Sequence, residues 1–239
     1  MPGAWLAQRG GPAAHVAAAH AVPSVFGGGA NVVAVLVLLL EFGMFRQALL
    51  RDQIRLYAAQ SAAVSVLAVI IAAARHVPEL YLLAALSVAL KVVIVPVVLR
   101  RLLRGAGEEI AGSGALGVAS TVLLAIAVGA FGFFAVGMLG IAGVTLPQTA
   151  LGIAMAVVLV SFVLMIVRRD VVSQAIGFFS LENGVSLAAL VIAAHMPLIL
   201  EVAFLFDLMV AVLVFGVLIR VHHGRAESLS TAGLTRLRG

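Results

Sequence analysis

The chain contains no cysteine in 239 residues. That absence excludes a disulfide scaffold, a zinc–thiolate site, iron–sulfur ligation and a cysteine nucleophile. Charge is scarce: Asp, Glu, Lys and Arg make up 10% of the residues, against about 25% in water-soluble domains. There is no Walker-type phosphate loop, no HExxH helix and no nucleophile elbow. No pair of histidines lies within apolar runs, as a transmembrane haem would need. What the chain has instead is apolar surface. Hydrophobic residues make up 64% and the mean hydropathy is +1.22, far beyond what a soluble fold of this size hides. Long apolar runs recur from end to end. They exclude a soluble enzyme, a disordered chain and the alternating strands of a membrane barrel. The sequence predicts an all-α polytopic membrane protein.

A span needs about 20 mainly apolar residues. Seven are predicted, at 30–49, 56–75, 79–99, 115–137, 147–167, 171–194 and 198–220. Pro78, Pro147 and Pro197 stand at helix starts, where a missing N–H costs nothing. The most hydrophilic connection carries Gly105, Gly107, Gly112 and Gly114 with Glu108 and Glu109. Residues 1–29 form an Ala/Gly/Pro-rich segment with His15 and His20. Ala19-His20-Ala21 resembles a signal-peptidase site, but the preceding run lacks the Leu, Ile and Phe of a signal core. An external tail or surface segment is the preferred reading. The spans divide into helices 1–4 (30–146) and helices 5–7 (147–220), followed by a polar tail, 221–239.

The isoelectric point near 11.0 does not indicate nucleic acid, because the arginines cluster at helix ends. One set of alternate connections holds Arg46, Arg51 and Arg55, then Arg100, Arg101 and Arg104, then Arg168 and Arg169. The C-terminal tail adds Arg220, Arg225, Arg236 and Arg238. These are twelve of the 15 basic residues; the opposite side has Arg9 and Arg75. Positive charge marks the cytoplasmic side, so the N-terminus is predicted outside and the C-terminus in the cytoplasm.

The informative residues are ionisable groups at membrane depth: Glu41, Lys91, Glu182 and Asp207. A lone charge at a helix centre costs about 2.5–3.5 kcal/mol on insertion scales. Glu201 lies nearer an interface. Three acids and one lysine do not pair off, so a purely structural role in gluing helices is the weaker reading. Desolvation penalises the charged form of either group, so such residues exchange protons readily. A row of them is the usual composition of a proton relay. Gln174, Phe178, Glu182 and Ser186 follow at four-residue spacing and share a helix face, with Asn183 beside them. Tyr57, Ser61 and Ser65 form a similar stripe on span two. Lys91 has Pro96 soon after it, and a proline weakens the helix one turn earlier. Gly129, Gly132, Gly137, Gly140 and Gly143 suggest close helix packing or an irregular helix end.

Several of these residues belong to longer runs. Ile176-Gly177-Phe178-Phe179-Ser180-Leu181-Glu182-Asn183-Gly184-Val185 resembles the signature of component E of hydrogenase-4-type (formate hydrogenlyase-like) membrane complexes. So do Arg55-Leu56-Tyr57-Ala58-Ala59-Gln60-Ser61, Ala89-Leu90-Lys91-Val92-Val93, the Asp207 span and the closing Leu-Arg-Gly. Spans five to seven are also similar to the small three-helix K subunit of respiratory complex I and to its C-type counterpart in Mrp antiporters. There an Arg-Arg turn precedes a helix with a central glutamate, and the next helix holds a second acid; here these are Arg168-Arg169, Glu182 and Asp207. The resemblance implies a non-catalytic membrane subunit of a complex I-related oxidoreductase. Its partners would be antiporter-like membrane subunits and peripheral redox subunits. Iron–sulfur clusters and a nickel–iron centre would sit on those partners, with no cofactor or metal on this chain. The alternatives are a subunit of a cation/proton antiporter and a structural membrane anchor.

Overall fold

The computed structural model describes residues 24–76, 78–106, 116–139 and 148–192, and helical positions 205, 208, 209, 212, 213, 216, 217 and 220. The predicted N-terminal segment up to residue 23, Glu108, Glu109, Glu201, Asp207 and the tail lie outside the described residues. So does most of the predicted seventh span.

Every described element is helical. Helix α1 is Ser24–Arg46, α2 is Leu50–Arg75 and α3 is Pro78–Ser87. A π-helical segment, Val88–Ile94, continues α3 into α4, Val95–Ala106. Then come α5 (Val118–Leu139), α6 (Gln148–Val167) and α7 (Val171–Ile192). With α3, the π segment and α4 read as one rod, six helices among the described residues are long and apolar enough to cross a membrane.

The boundaries differ from the predicted spans where polar residues are helical. Helix α2 begins at Leu50, because Arg51, Asp52, Gln53 and Arg55 add a polar first turn that hydropathy alone omits. Helix α1 stops at Arg46 because its last carbonyls are taken over by a side chain from another turn, described below. At the far end of α2, His76 adopts φ 54° and its N–H bonds the Ala72 carbonyl. This left-handed cap reverses the chain into Pro78, whose missing N–H is harmless at a helix start.

Helix α6 sits at the centre and packs on α7, α5 and α1; α2 packs on α1, α3 and α7. Contact between α6 and α7 is close because glycines face it. A Cβ on Gly184 would lie 3.0 Å from the Val158 backbone nitrogen, and one on Gly177 3.3 Å from the Ser161 carbonyl. Gly129 and Gly132 of α5 approach α6 in the same way, whereas Gly137 faces open space. Small residues permit such backbone approach where lipid gives no hydrophobic drive for helix association. Gly140 and Gly143 lie outside the described residues.

Two apolar clusters fill the bundle. One holds Met44, Leu50, Ile54, Tyr57, Leu99, Leu103, Leu164 and Val167. The other holds Ala34, Leu67, Ile71, Leu80, Leu151, Ala154, Leu187 and Leu190. The first lies at the end carrying Arg46, Arg51, Arg100, Arg101, Arg104, Arg168 and Arg169, so the basic residues of three connections gather at one end. The buried polar side chains of the helices lie mostly between the two clusters.

Candidate functional site

The Lys91 ammonium lies 2.6 Å from the Glu182 carboxylate, and both side chains are nearly removed from solvent, at 4% and 11% exposure. Lys91 comes from the π segment and Glu182 from the middle of α7. The π register accommodates a proline. Pro96 has no N–H to offer the Val92 carbonyl, and Val95 N–H bonds Leu90, five residues back. Single π turns inside α-helices recur at functional sites. Lys91 Nζ also donates to Ser186 Oγ at 3.2 Å.

A cavity opens beside the pair. Ser65, Ala68, Ala84, Ser87, Ser186 and Ala189 contribute to its walls, and its centre has about 40 Å³ of space for water molecules. One water needs about 10–15 Å³ by that measure and two to four polar partners. The three serines, the ammonium and the carboxylate supply them. Ser65 Oγ lies 3.0 Å from Ser87 Oγ and donates to the Ser61 carbonyl at 2.9 Å.

A second polar cluster lies between this pair and the basic end. Glu41 is fully buried. Its Oε2 accepts from Gln60 Nε2 at 2.9 Å and from the Ser180 hydroxyl. Its other oxygen has no hydrogen bond of good geometry; Ser161 lies near the carboxyl group, and its hydroxyl donates to the Val157 carbonyl at 2.8 Å. Gln60 Nε2 also reaches the Val37 carbonyl at 3.2 Å. Gln60 Oε1 accepts from Asn183 Nδ2 at 3.0 Å, and Asn183 Nδ2 also donates to Ser61 Oγ at 2.8 Å. Ser180 Oγ lies 2.8 Å from Gln60 Oε1 as well. A hydroxyl has one proton, so Ser180 donates to either Glu41 or Gln60 at any moment. The helix pairs α1–α2 and α2–α7 are thereby joined by one buried network.

The predicted site residues therefore fall into three places. Lys91, Glu182 and Ser186 meet at the cavity. Glu41, Ser61 and Asn183 meet in the amide network. Gln174 lies two turns from Glu182, at the basic end, and donates to the Arg168 carbonyl at 2.9 Å. Tyr57 is buried with its ring 5.6 Å from that of Phe179, and its hydroxyl lies near Ser61 without a hydrogen bond of good geometry. Asp207 and Glu201 lie outside the described residues. Sequence reasoning missed Gln60 and Ser180. A signal for Gln60 existed: Tyr57, Gln60, Ser61 and Ser65 share a face by helical spacing.

The basic end is locked by Arg168. Its Nη2 donates to the carbonyls of Phe45 at 2.7 Å, Gln47 at 3.2 Å and Met44 at 3.5 Å. These are carbonyls at and just beyond the end of α1, where the helix ladder leaves them without partners. Burial lowers the proton affinity of the Arg168 guanidinium from its ordinary value, and the nearby Asp170 charge opposes that shift. Asp170 Oδ1 in turn accepts from Ser173 N–H at 2.7 Å and so caps α7. Ser173 Oγ bonds Gln53 Oε1 at 2.8 Å, and Gln53 Nε2 bonds the Gln47 carbonyl at 3.0 Å. Among the described residues, no cluster of His, Asp and Glu could hold a metal ion.

No protein-family model matches the chain, and no solved structure matches it. Over 76 residues it is 43% identical to the uncharacterized protein Rv0085 of Mycobacterium tuberculosis. That stretch covers 32% of this chain and 34% of the relative, so the chain spans about a third of the relative's length.

Proposed function

We propose that the chain is a membrane subunit that moves protons through buried ionisable side chains. The carrying observation is the Lys91–Glu182 pair, 2.6 Å apart inside an apolar bundle and open to a hydroxyl-lined cavity. A buried pair of this kind stores charge that each partner can surrender by exchanging a proton, and moving that proton shifts the field on the next group. Glu41, toward the basic end, tunes the pair through its field, and Asp207 supplies a further acid on the seventh predicted span. Seven spans with the C-terminus in the cytoplasm complete the reading; the gathering of arginines at one end of the bundle supports that orientation.

The proposed setting is a hydrogenase-4-like, complex I-related oxidoreductase in a bacterial or archaeal inner membrane, with this chain as a non-catalytic subunit. The resemblance of Ile176–Val185 and of the Arg168-Arg169, Glu182, Asp207 layout supports it. Purification of the tagged chain from native membranes in mild detergent tests the setting. Antiporter-like subunits together with iron–sulfur and large catalytic subunits are the expected partners. Antiporter subunits alone would replace the setting with a cation/proton antiporter. Recovery of a folded, monodisperse chain alone would overturn both.

A further inference from the structure

Of the features the relay leaves open, the cavity beside Lys91 carries the most, because its position along the helices is asymmetric. Its walls come from the second half of α2 (Ser65, Ala68), from α3 along its length (Leu80 to Ser87), from the second half of α7 (Ser186, Ala189) and from Leu205. These stretches of α2 and α7 run toward the His76–Pro78 turn and the end of α7, and α3 starts from that same turn. At about 1.5 Å per residue, Ser186 lies about 9 Å from the last residue of α7. No wall residue comes from the basic end. On that side, the space is filled by the buried rings of Tyr57 and Phe179 and by Leu99 and Ile176. Glu41 also lies on that side. Among the described residues, the hydrogen-bonded route from Ser61 to Glu41 passes through the side-chain amides of Asn183 and Gln60, which hold no acid or base to hand a proton on.

We infer that this cavity is an aqueous vestibule that opens the Lys91–Glu182 pair to one membrane face only, the face opposite Arg168. The proposal deepens the proton-transfer reading and rests on it for its consequence: water and hydronium reach the pair from that face, and the amide network insulates Glu41 from it. By the distribution of arginines, the face is the extracytoplasmic one. The three serines keep the vestibule wet where the surrounding walls are apolar.

Because the chain has no cysteine, a thiol introduced into it is the only one it carries, and labelling is read on this chain after it is separated from its partners. Ala68→Cys, Ala84→Cys and Ala189→Cys place a thiol on the wall. Ala175→Cys, fully buried in the basic-end cluster, serves as the control. The probe is a membrane-impermeant cationic methanethiosulfonate, applied to sealed right-side-out and everted vesicles carrying the full complex. Wall cysteines are expected to react several-fold faster from the outer face, and the control from neither. Equal reaction from both faces, faster reaction from the cytoplasmic face, or no reaction at sites that label fully after denaturation would overturn the vestibule. The two readings fail separately. One-sided labelling with normal proton movement in Glu182→Gln keeps the vestibule and removes the relay. Two-sided labelling with proton movement abolished in that variant keeps the relay and removes the vestibule.

Discussion

Removing one partner of the Lys91–Glu182 pair is expected to cost far more than removing both. Two unit charges 2.6 Å apart attract by about 6 kcal/mol at an effective dielectric constant of about 20. Desolvation of both groups offsets most of this, so the intact pair contributes little net stability. A single substitution leaves the offset and removes the attraction, which costs about 3–5 kcal/mol. Lys91→Met and Glu182→Gln are each expected to lower stability by that amount. The double variant Lys91→Met/Glu182→Gln is expected to recover most of it. The assay is a double-mutant cycle on unfolding of the purified complex by a denaturing detergent. Recovery in the double variant corresponds to a coupling energy of about 3 kcal/mol or more, whereas the losses of distant residues add. Additive losses in the double variant would refute the pairing.

Three further outcomes follow from the geometry. Arg168→Ala strips the last α1 carbonyls of their donor and is expected to cost about 1–3 kcal/mol; Arg168→Lys recovers only part, since an ammonium lacks the planar fork, and unfolding curves of the two variants decide this. Gly184→Ala drives a Cβ to 3.0 Å from the Val158 backbone nitrogen and is expected to loosen α6 from α7, read as faster proteolysis or lower thermal stability, whereas Gly137→Ala, facing open space, leaves both unchanged. Asn183→Leu breaks the bridge from Ser61 to Gln60 and is expected to destabilise the bundle by about 1–3 kcal/mol while leaving thiol access to the vestibule one-sided; altered access would show that the network shapes the cavity.

Hydropathy made the helices legible because in lipid each backbone polar group must be satisfied within its own segment. It also exposed Glu41, Lys91 and Glu182, since a charge inside an apolar run stands out at once. Pro96 signalled the irregular helix beside Lys91, although not that the irregularity would be π-helical. Partner choice was not legible. It depends on helix rotation, and the chain's helices are apolar on most faces. Gln174 and Glu182 share a face by spacing, yet Gln174 serves the α6–α7 turn while Glu182 meets Lys91. Ser180 and Gln60 appeared ordinary because their role arises only when α1, α2 and α7 are brought together. Arg168 read as one of several cytoplasmic arginines. Its binding of the α1 carbonyls depends on two turns more than 100 residues apart meeting at one end.

Proton movement across membranes carrying the native complex tests the central claim most directly, measured with a pH-sensitive dye in vesicles under turnover. Glu182→Gln keeps the shape of the side chain and removes its acid. The account expects translocation per assembled complex to be abolished; Lys91→Ala should be nearly as severe and Lys91→Arg intermediate, because arginine does not readily give up its proton. Wild-type translocation in Glu182→Gln would contradict the account.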